Sequence, residues 1–184
     1  MRGRGPLAAA ALLAWASMGG AAPAVSPHAG DARGTIKALS EAEVRDYLAG
    51  SGMGFAKAAE LNRYPGPRHV LELADRLALS PEQREHTERL FASMRAEAVR
   101  LGEGIVAQER ELDARFAAGA ISAAEVGRRT AALGSLLGRL RATHLRAHLA
   151  QRDILTAEQR RQYDALRGYG QAAPATRPPG HHGH

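Results

Sequence analysis

His144-Leu145-Arg146-Ala147-His148 is the constellation with the clearest chemical potential. If these residues are helical, the two imidazoles lie one turn apart on the same side. That spacing chelates Zn²⁺, Cu²⁺ or Ni²⁺ once further ligands are supplied, and His69 or glutamates of a neighbouring helix are the candidates. The competing expectation is structural. His144 falls in the middle of an apolar stripe, where a hydrogen-bonded core histidine is the commoner outcome. A second His cluster, His181-His182-Gly183-His184, ends the chain and suits loose metal capture or simple solvation. Only Met53 and Met94 follow the leader, which argues against a methionine-rich copper site.

Charge supplies the second constellation. Between Glu125 and Asp153 the chain carries Arg128, Arg129, Arg139, Arg141, Arg146 and Arg152 and no acidic residue. At about 100° per residue, Arg128, Arg139 and Arg146 form one stripe. Leu145 and Leu149 lie on a neighbouring face that is otherwise small, with Ala131, Gly134, Gly138 and Ala142. Such a surface attracts acidic partners and offers them non-specific apolar contact. The alternative is that these arginines pair with glutamates of the preceding helix or of a second subunit. No Gly-rich phosphate loop, Gly-x-Ser-x-Gly elbow, His-Glu-x-x-His helix or cysteine nucleophile is present. Carboxylates such as Glu85 and Glu111 have Arg89 and Arg115 four residues on, as on a solvated helix face. The expectation is that the protein is not an enzyme, has no catalytic residues and requires no cofactor.

The elements that position these residues are helical. Leu79-Ser80-Pro81-Glu82-Gln83 and, 76 residues later, Leu155-Thr156-Ala157-Glu158-Gln159 each place an apolar lead-in, a hydroxyl N-cap and a glutamine at the third helical position. Both start helices. Between them a long helix is expected from Ser80 to about Ala117, roughly 55 Å of chain. Gly102 and Gly104 interrupt it at mid-length and favour a bend. Gly119 ends it, and Ser122 with Glu125 forms a capping box for a returning helix over about 122–152. That helix has a first apolar face of Val126, Leu133, Leu136, Leu137, Leu140 and Ile154, in addition to its small face. Covering both takes either the short N-terminal helices or a second subunit, and the two together are the favoured expectation. Upstream, a helix starts at Ser40 with Glu43 closing its box and ends at Gly50. A short one runs from Phe55 to about Leu61, and another starts at Pro67 with an apolar face of Val70, Leu71, Leu73, Ala74 and Leu77. The last begins at Thr156 and stops at Gly168. The fold class is all-α, a long curved helical hairpin with short flanking helices.

The 184-residue chain carries a net charge of +6 and no cysteine, which bounds it to one small domain with tails. Met1-Arg2-Gly3-Arg4, an apolar run from Leu7 to Trp15 and Ala22-Pro23-Ala24 have the three regions of a secretory signal over 1–24. The run is too short to anchor the protein stably in a membrane. Residues 25–38 read as a flexible leader, 39–168 as the helical domain and 169–184 as a disordered, His-containing tail. Without cysteines, neither disulfides nor a lipoprotein anchor is available, so packing alone must hold the helices. Of 25 basic residues only Lys37 and Lys57 are lysines. With export, that argues against a nucleic-acid partner.

The paired Leu-Ser/Thr-x-x-Gln motifs flanking a helical hairpin behind a signal peptide resemble the Spy/CpxP family. These are LTXXQ-motif proteins of the bacterial periplasm, with ZraP-like and CnrX-like members. The resemblance covers roughly residues 67–168, with Ser80 standing in for the usual threonine and keeping its capping chemistry. It implies a cradle-shaped homodimer in the periplasm. Chaperone members bind unfolded clients on a basic, partly apolar face without ATP, which agrees with the arginine stripe. Metal-sensing members use His residues one turn apart, which His144 and His148 would mimic in a metal-binding or resistance role. A third expectation is an adaptor for an envelope signalling protein.

Overall fold

A computed structural model describes Ser26, His28, Gly30 and residues 34–169. The chain divides into a unit of residues 1–30 and a second unit from residue 31 onward, which holds every helix described below. The expected signal peptide and the tail beyond Tyr169 lie outside the described residues.

Among the described residues there is no strand, and six helices follow one another. They are α1 (Glu41–Ala49), α2 (Lys57–Glu60), α3 (Pro67–Glu72), α4 (Pro81–Ala117), α5 (Ala123–Ile154) and α6 (Ala157–Leu166). The α4–α5 hairpin is the scaffold, and α1 and α3 also pack on α4.

Local chemistry sets the boundaries. Ser40, Ser80 and Thr156 each accept a hydrogen bond from the backbone N–H three residues on, and Glu43, Gln83 and Gln159 reach back to the cap. These three boxes form as the sequence predicts. Ser122 forms only half of its box: it accepts from the Glu125 N–H, while the Glu125 carboxylate turns to Arg129 at 3.0 Å. A nearby guanidinium outcompetes a backbone amide for that charge. Gly50 and Gly119, at φ +66° and +62°, end α1 and the α4 turn in the left-handed region. The helix expected from Phe55 shrinks to the single turn of α2. α3 stops at Glu72, after which the chain runs through turns to Ala78 at φ +47°. Leu77 nevertheless stays 1% exposed, so its burial survives the loss of helix.

The helix α4 is continuous through Gly102 and Gly104, the residues expected to favour a bend. A Cβ on Gly102 would stand 2.1 Å from the Tyr47 carbonyl oxygen. The glycine is there because α1 crosses α4 in backbone contact. Apolar burial falls into two clusters. Ala98, Leu101, Ile105, Leu133 and Leu140 fill the hairpin, with Tyr47 and Phe55 against them. Val70, Leu77, Leu155 and Tyr163 close its base. Three residues expected outside the domain, Ile36, Lys37 and Tyr169, also belong to it. Ile36 is 2% exposed, beside Lys37, whose ammonium reaches Asp113 at 3.0 Å. Tyr169 donates its hydroxyl to Glu60 at 2.9 Å.

Candidate functional site

The twin motifs come together at the base of the hairpin. Gln83 and Gln159 face each other and exchange two amide hydrogen bonds, each 2.9 Å long. Each Oε1 also accepts from the backbone N–H of its own N-cap, Ser80 at 3.1 Å and Thr156 at 2.9 Å. Each Nε2 gives its second hydrogen to a carbonyl across the junction: Gln83 to Ile154 at 2.9 Å and Gln159 to Leu77 at 3.2 Å. Both amides are therefore fully satisfied, with two donors and two acceptor positions used on each side. Leu79 and Leu155, the apolar lead-ins, lie in the base cluster under this pair. The capping residues predicted separately thus form one latch between α4 and α6. Just above it, Gln151 donates to Thr87 at 3.2 Å in a fully buried link between α5 and α4.

The histidines sit on the inward side of α5. His144 is 4% exposed and stacks on Phe55, with ring centroids 5.9 Å apart and planes inclined by 12°. Its Nε2 is buried and has no hydrogen-bond partner. Burial, reinforced by neighbouring His148, holds the His144 pKa below the usual imidazole range. His148 is 7% exposed, and its Nδ1 lies 2.8 Å from the Tyr64 carbonyl, so Nδ1 carries the proton that bond needs. Its ring lies against Gly66, where a Cβ would come within 2.9 Å of Cε1. His69 does not join this pair as a third ligand. Its Nδ1 stands 3.0 Å from a carboxylate oxygen of Glu60, the same atom that accepts from Arg167 at 2.8 Å and from Tyr169. Burial opposes ionisation of Glu60, yet Tyr169, His69 and Arg167 together hold its carboxyl below the ordinary range. His69 and His144 do line one cavity of about 420 Å³, shared with Pro67, Arg68, Phe91 and Met94.

Among the described residues, no three His, Asp or Glu side chains are grouped to hold a metal ion. The bond from His148 Nδ1 to the Tyr64 carbonyl leaves Nε2 as the free nitrogen of that ring, while Glu60 is already shared by three partners. Phe55 and Glu60, which organise this region, were not identifiable from local spacing. Phe55 reaches a residue 89 positions away in the chain, and Glu60 takes a partner from beyond α6.

The outward side of α5 is different. Ala131, Gly134, Gly138 and Leu149 are exposed, and Leu149 keeps 53% of its surface. A Cβ placed on Gly127, Gly134 or Gly138 meets nothing within 4 Å. Leu145 and Ala142 are half-buried at the edge of this stripe. Arg128 and Arg146 flank it on one side, exposed and with no ion-pair partner among the described residues; Arg141 borders the other. Arg139, expected in the same row, instead reaches Glu97 of α4 at 3.4 Å, and Arg129 pairs with Glu111 and Glu125. Arg128, Arg146 and Leu149 are thus exposed and Leu145 half-exposed on this side of α5, while the charge of Arg139 is partly neutralised.

A helical hairpin whose two ends are joined by twin capping glutamines, with one face left open, defines the class of this protein. Residues 67–167 match the family described as LTXXQ motif family protein, and the chain belongs to that family, which covers Spy/CpxP-like proteins. Such proteins are typically periplasmic. No curated protein and no solved structure matches the chain. Among the described residues no helix is long and apolar enough to cross a membrane.

Proposed function

We propose that this is a periplasmic, ATP-independent chaperone that holds unfolded or acidic clients on the outward face of α5. The observation that carries the reading is the open stripe of Gly134, Gly138 and Leu149, edged by half-buried Leu145, beside the guanidinia of Arg128 and Arg146, which have no ion-pair partner among the described residues. Charge brings an acidic segment to the surface, and the small apolar stripe then admits side chains of many shapes. Nothing in that mode of binding needs a nucleotide, a metal or a fixed sequence in the client. A homodimer would extend the surface by repeating it.

The test is suppression of light scattering by an aggregating acidic client, such as reduced α-lactalbumin, with the whole protein present at equal molarity. Suppression is expected at low ionic strength and should weaken sharply near 1 M salt, where the screening length falls to about 3 Å. An Arg128→Ser/Arg146→Ser/Leu149→Ser variant should lose most of it, and His144→Ala should retain it. Equal activity of the triple variant would sink the proposal. Activity that needs added Zn²⁺, Cu²⁺ or Ni²⁺ and disappears with His144→Ala/His148→Ala would establish the metal-responsive role in its place. Capture of one defined partner without any holding activity would establish an adaptor.

A further inference from the structure

Away from both the α5 stripe and the buried histidines, a second surface concentrates positive charge. An open pocket of about 440 Å³ lies where the turn after α2 meets the end of α5 and the first turns of α6. Four arginines line it, Arg63, Arg152, Arg160 and Arg161, with Tyr64 and Asp164 beside them. Several arginines elsewhere face carboxylates, as Arg84 reaches Asp75 at 2.8 Å, Arg115 reaches Glu111 at 2.9 Å and Arg129 reaches Glu125 at 3.0 Å. In the pocket, Arg161 alone has such a partner among the described residues, Glu158.

Arg152 and Arg160 are held by neutral groups, which fixes their position without cancelling their charge. Arg152 donates to the Tyr64 hydroxyl at 3.1 Å and stacks over that ring at 4.7 Å. Arg160 donates to the carbonyls of Arg152 and Leu155 at 3.1 and 2.8 Å, so its guanidinium caps the end of α5. Arg63 sits at φ +65°, a conformation that glycine adopts far more readily, and its side chain has no hydrogen bond or ion pair among the described residues. Asp164 is the sole carboxylate lining the pocket. Its Oδ1 is buried without a hydrogen-bond partner, and burial pushes its pKa up against the pull of Arg63.

We infer that the pocket formed by Arg63, Arg152 and Arg160 is a binding site for a multiply charged phosphate, carried either by a soluble oligophosphate or by an anionic lipid headgroup. Guanidinia offer paired N–H donors that match phosphate oxygens. Three of them around one opening exceed what a single carboxylate can satisfy. The site depends on different residues from those proposed to hold clients, so either proposal can fail alone.

The experiment is calorimetric titration of sodium tripolyphosphate into the full chain. A parallel arm measures flotation of the protein with cardiolipin vesicles, whose headgroup carries two phosphates. Arg63→Gly is the primary variant, because glycine keeps the backbone geometry and removes only the cation. Arg152→Gln is the second, and Arg128→Ser on the α5 face is the control. Saturable one-to-one binding is expected, weakened about tenfold by each pocket variant and unchanged in the control. Vesicle binding alone, with the same dependence on Arg63, would assign the phosphate to a lipid. Equal weakening by Arg128→Ser, indifference to Arg63→Gly, or no binding in either arm would overturn the site.

Discussion

The two long helices use glycine for opposite purposes. Gly102 of α4 lies under the Tyr47 carbonyl, where an added Cβ would be 2.1 Å from oxygen. Gly134 and Gly138 of α5 face open space. α4 is therefore covered from two sides, by α1 and by α5, whereas α5 contributes one side to the core and leaves the other free. In a soluble helix a glycine in open space only weakens the element, by roughly 1 kcal/mol relative to alanine. Keeping two of them on one exposed stripe makes sense if something approaches the backbone closely there, and the flanking arginines suggest acidic chains.

The sharpest way to break this contrast is Gly102→Ala. The new methyl group must displace the backbone of α1 and not a flexible side-chain end, so overpacking outweighs the gain in helix propensity. A net loss of about 2 kcal/mol or more is expected. Thermal unfolding should show it as a midpoint lowered by about 6 to 10 °C. An unchanged midpoint would mean that α1 does not rest on α4 as described.

A smaller effect is expected at the latch. Replacing Gln83 or Gln159 with leucine removes one half of a reciprocal amide pair and leaves the opposite amide short of a partner. Each single change should cost about 1 to 2 kcal/mol. Because the first change has already broken the shared bonds, the double variant should cost less than the sum, with a coupling of about 0.5 kcal/mol or greater. Denaturant unfolding of the four proteins of the cycle measures this. Strict additivity would show that the two capping boxes act separately and that their 2.9 Å contacts carry no stability.

What sequence reveals here is what neighbouring residues decide. Three capping boxes, the Gly50 terminus, Pro67 at the head of α3 and the buried stripe through Leu133 and Leu140 follow from residues within one or two turns of each other. The all-α hairpin follows in turn. Contacts between distant segments were not legible in this way. Gly102 reads locally as a residue that favours a bend, and it is also a contact point for α1, whose Tyr47 carbonyl is 55 positions earlier in the chain. Ser80 and Thr156 read as two independent caps, yet their glutamines meet across 76 residues. His144 and His148 share a side as their spacing requires, but the stacking of Phe55 and the Tyr64 carbonyl that engage them come from the α2 region. Arg139 belongs to the arginine row by periodicity and is drawn off it by Glu97.

The smallest expected effect concerns the open stripe itself, and it runs in the opposite direction. Gly134→Ala and Gly138→Ala place methyl groups where nothing lies within 4 Å. In a chain whose α5 face is free, each should stabilise the protein by about 0.5 to 1 kcal/mol through reduced backbone entropy of the unfolded state. The pair should raise the unfolding midpoint by a few degrees at every protein concentration. A gain at low concentration that shrinks or reverses as concentration rises would reveal a second copy packed against these glycines. Sedimentation of the same variants would then show a weakened dimer. Stabilisation that is independent of concentration, accompanied by poorer holding of an acidic client, would instead place the close approach in the client complex. The stripe would then be a surface kept small for its visitors at the expense of its own helix.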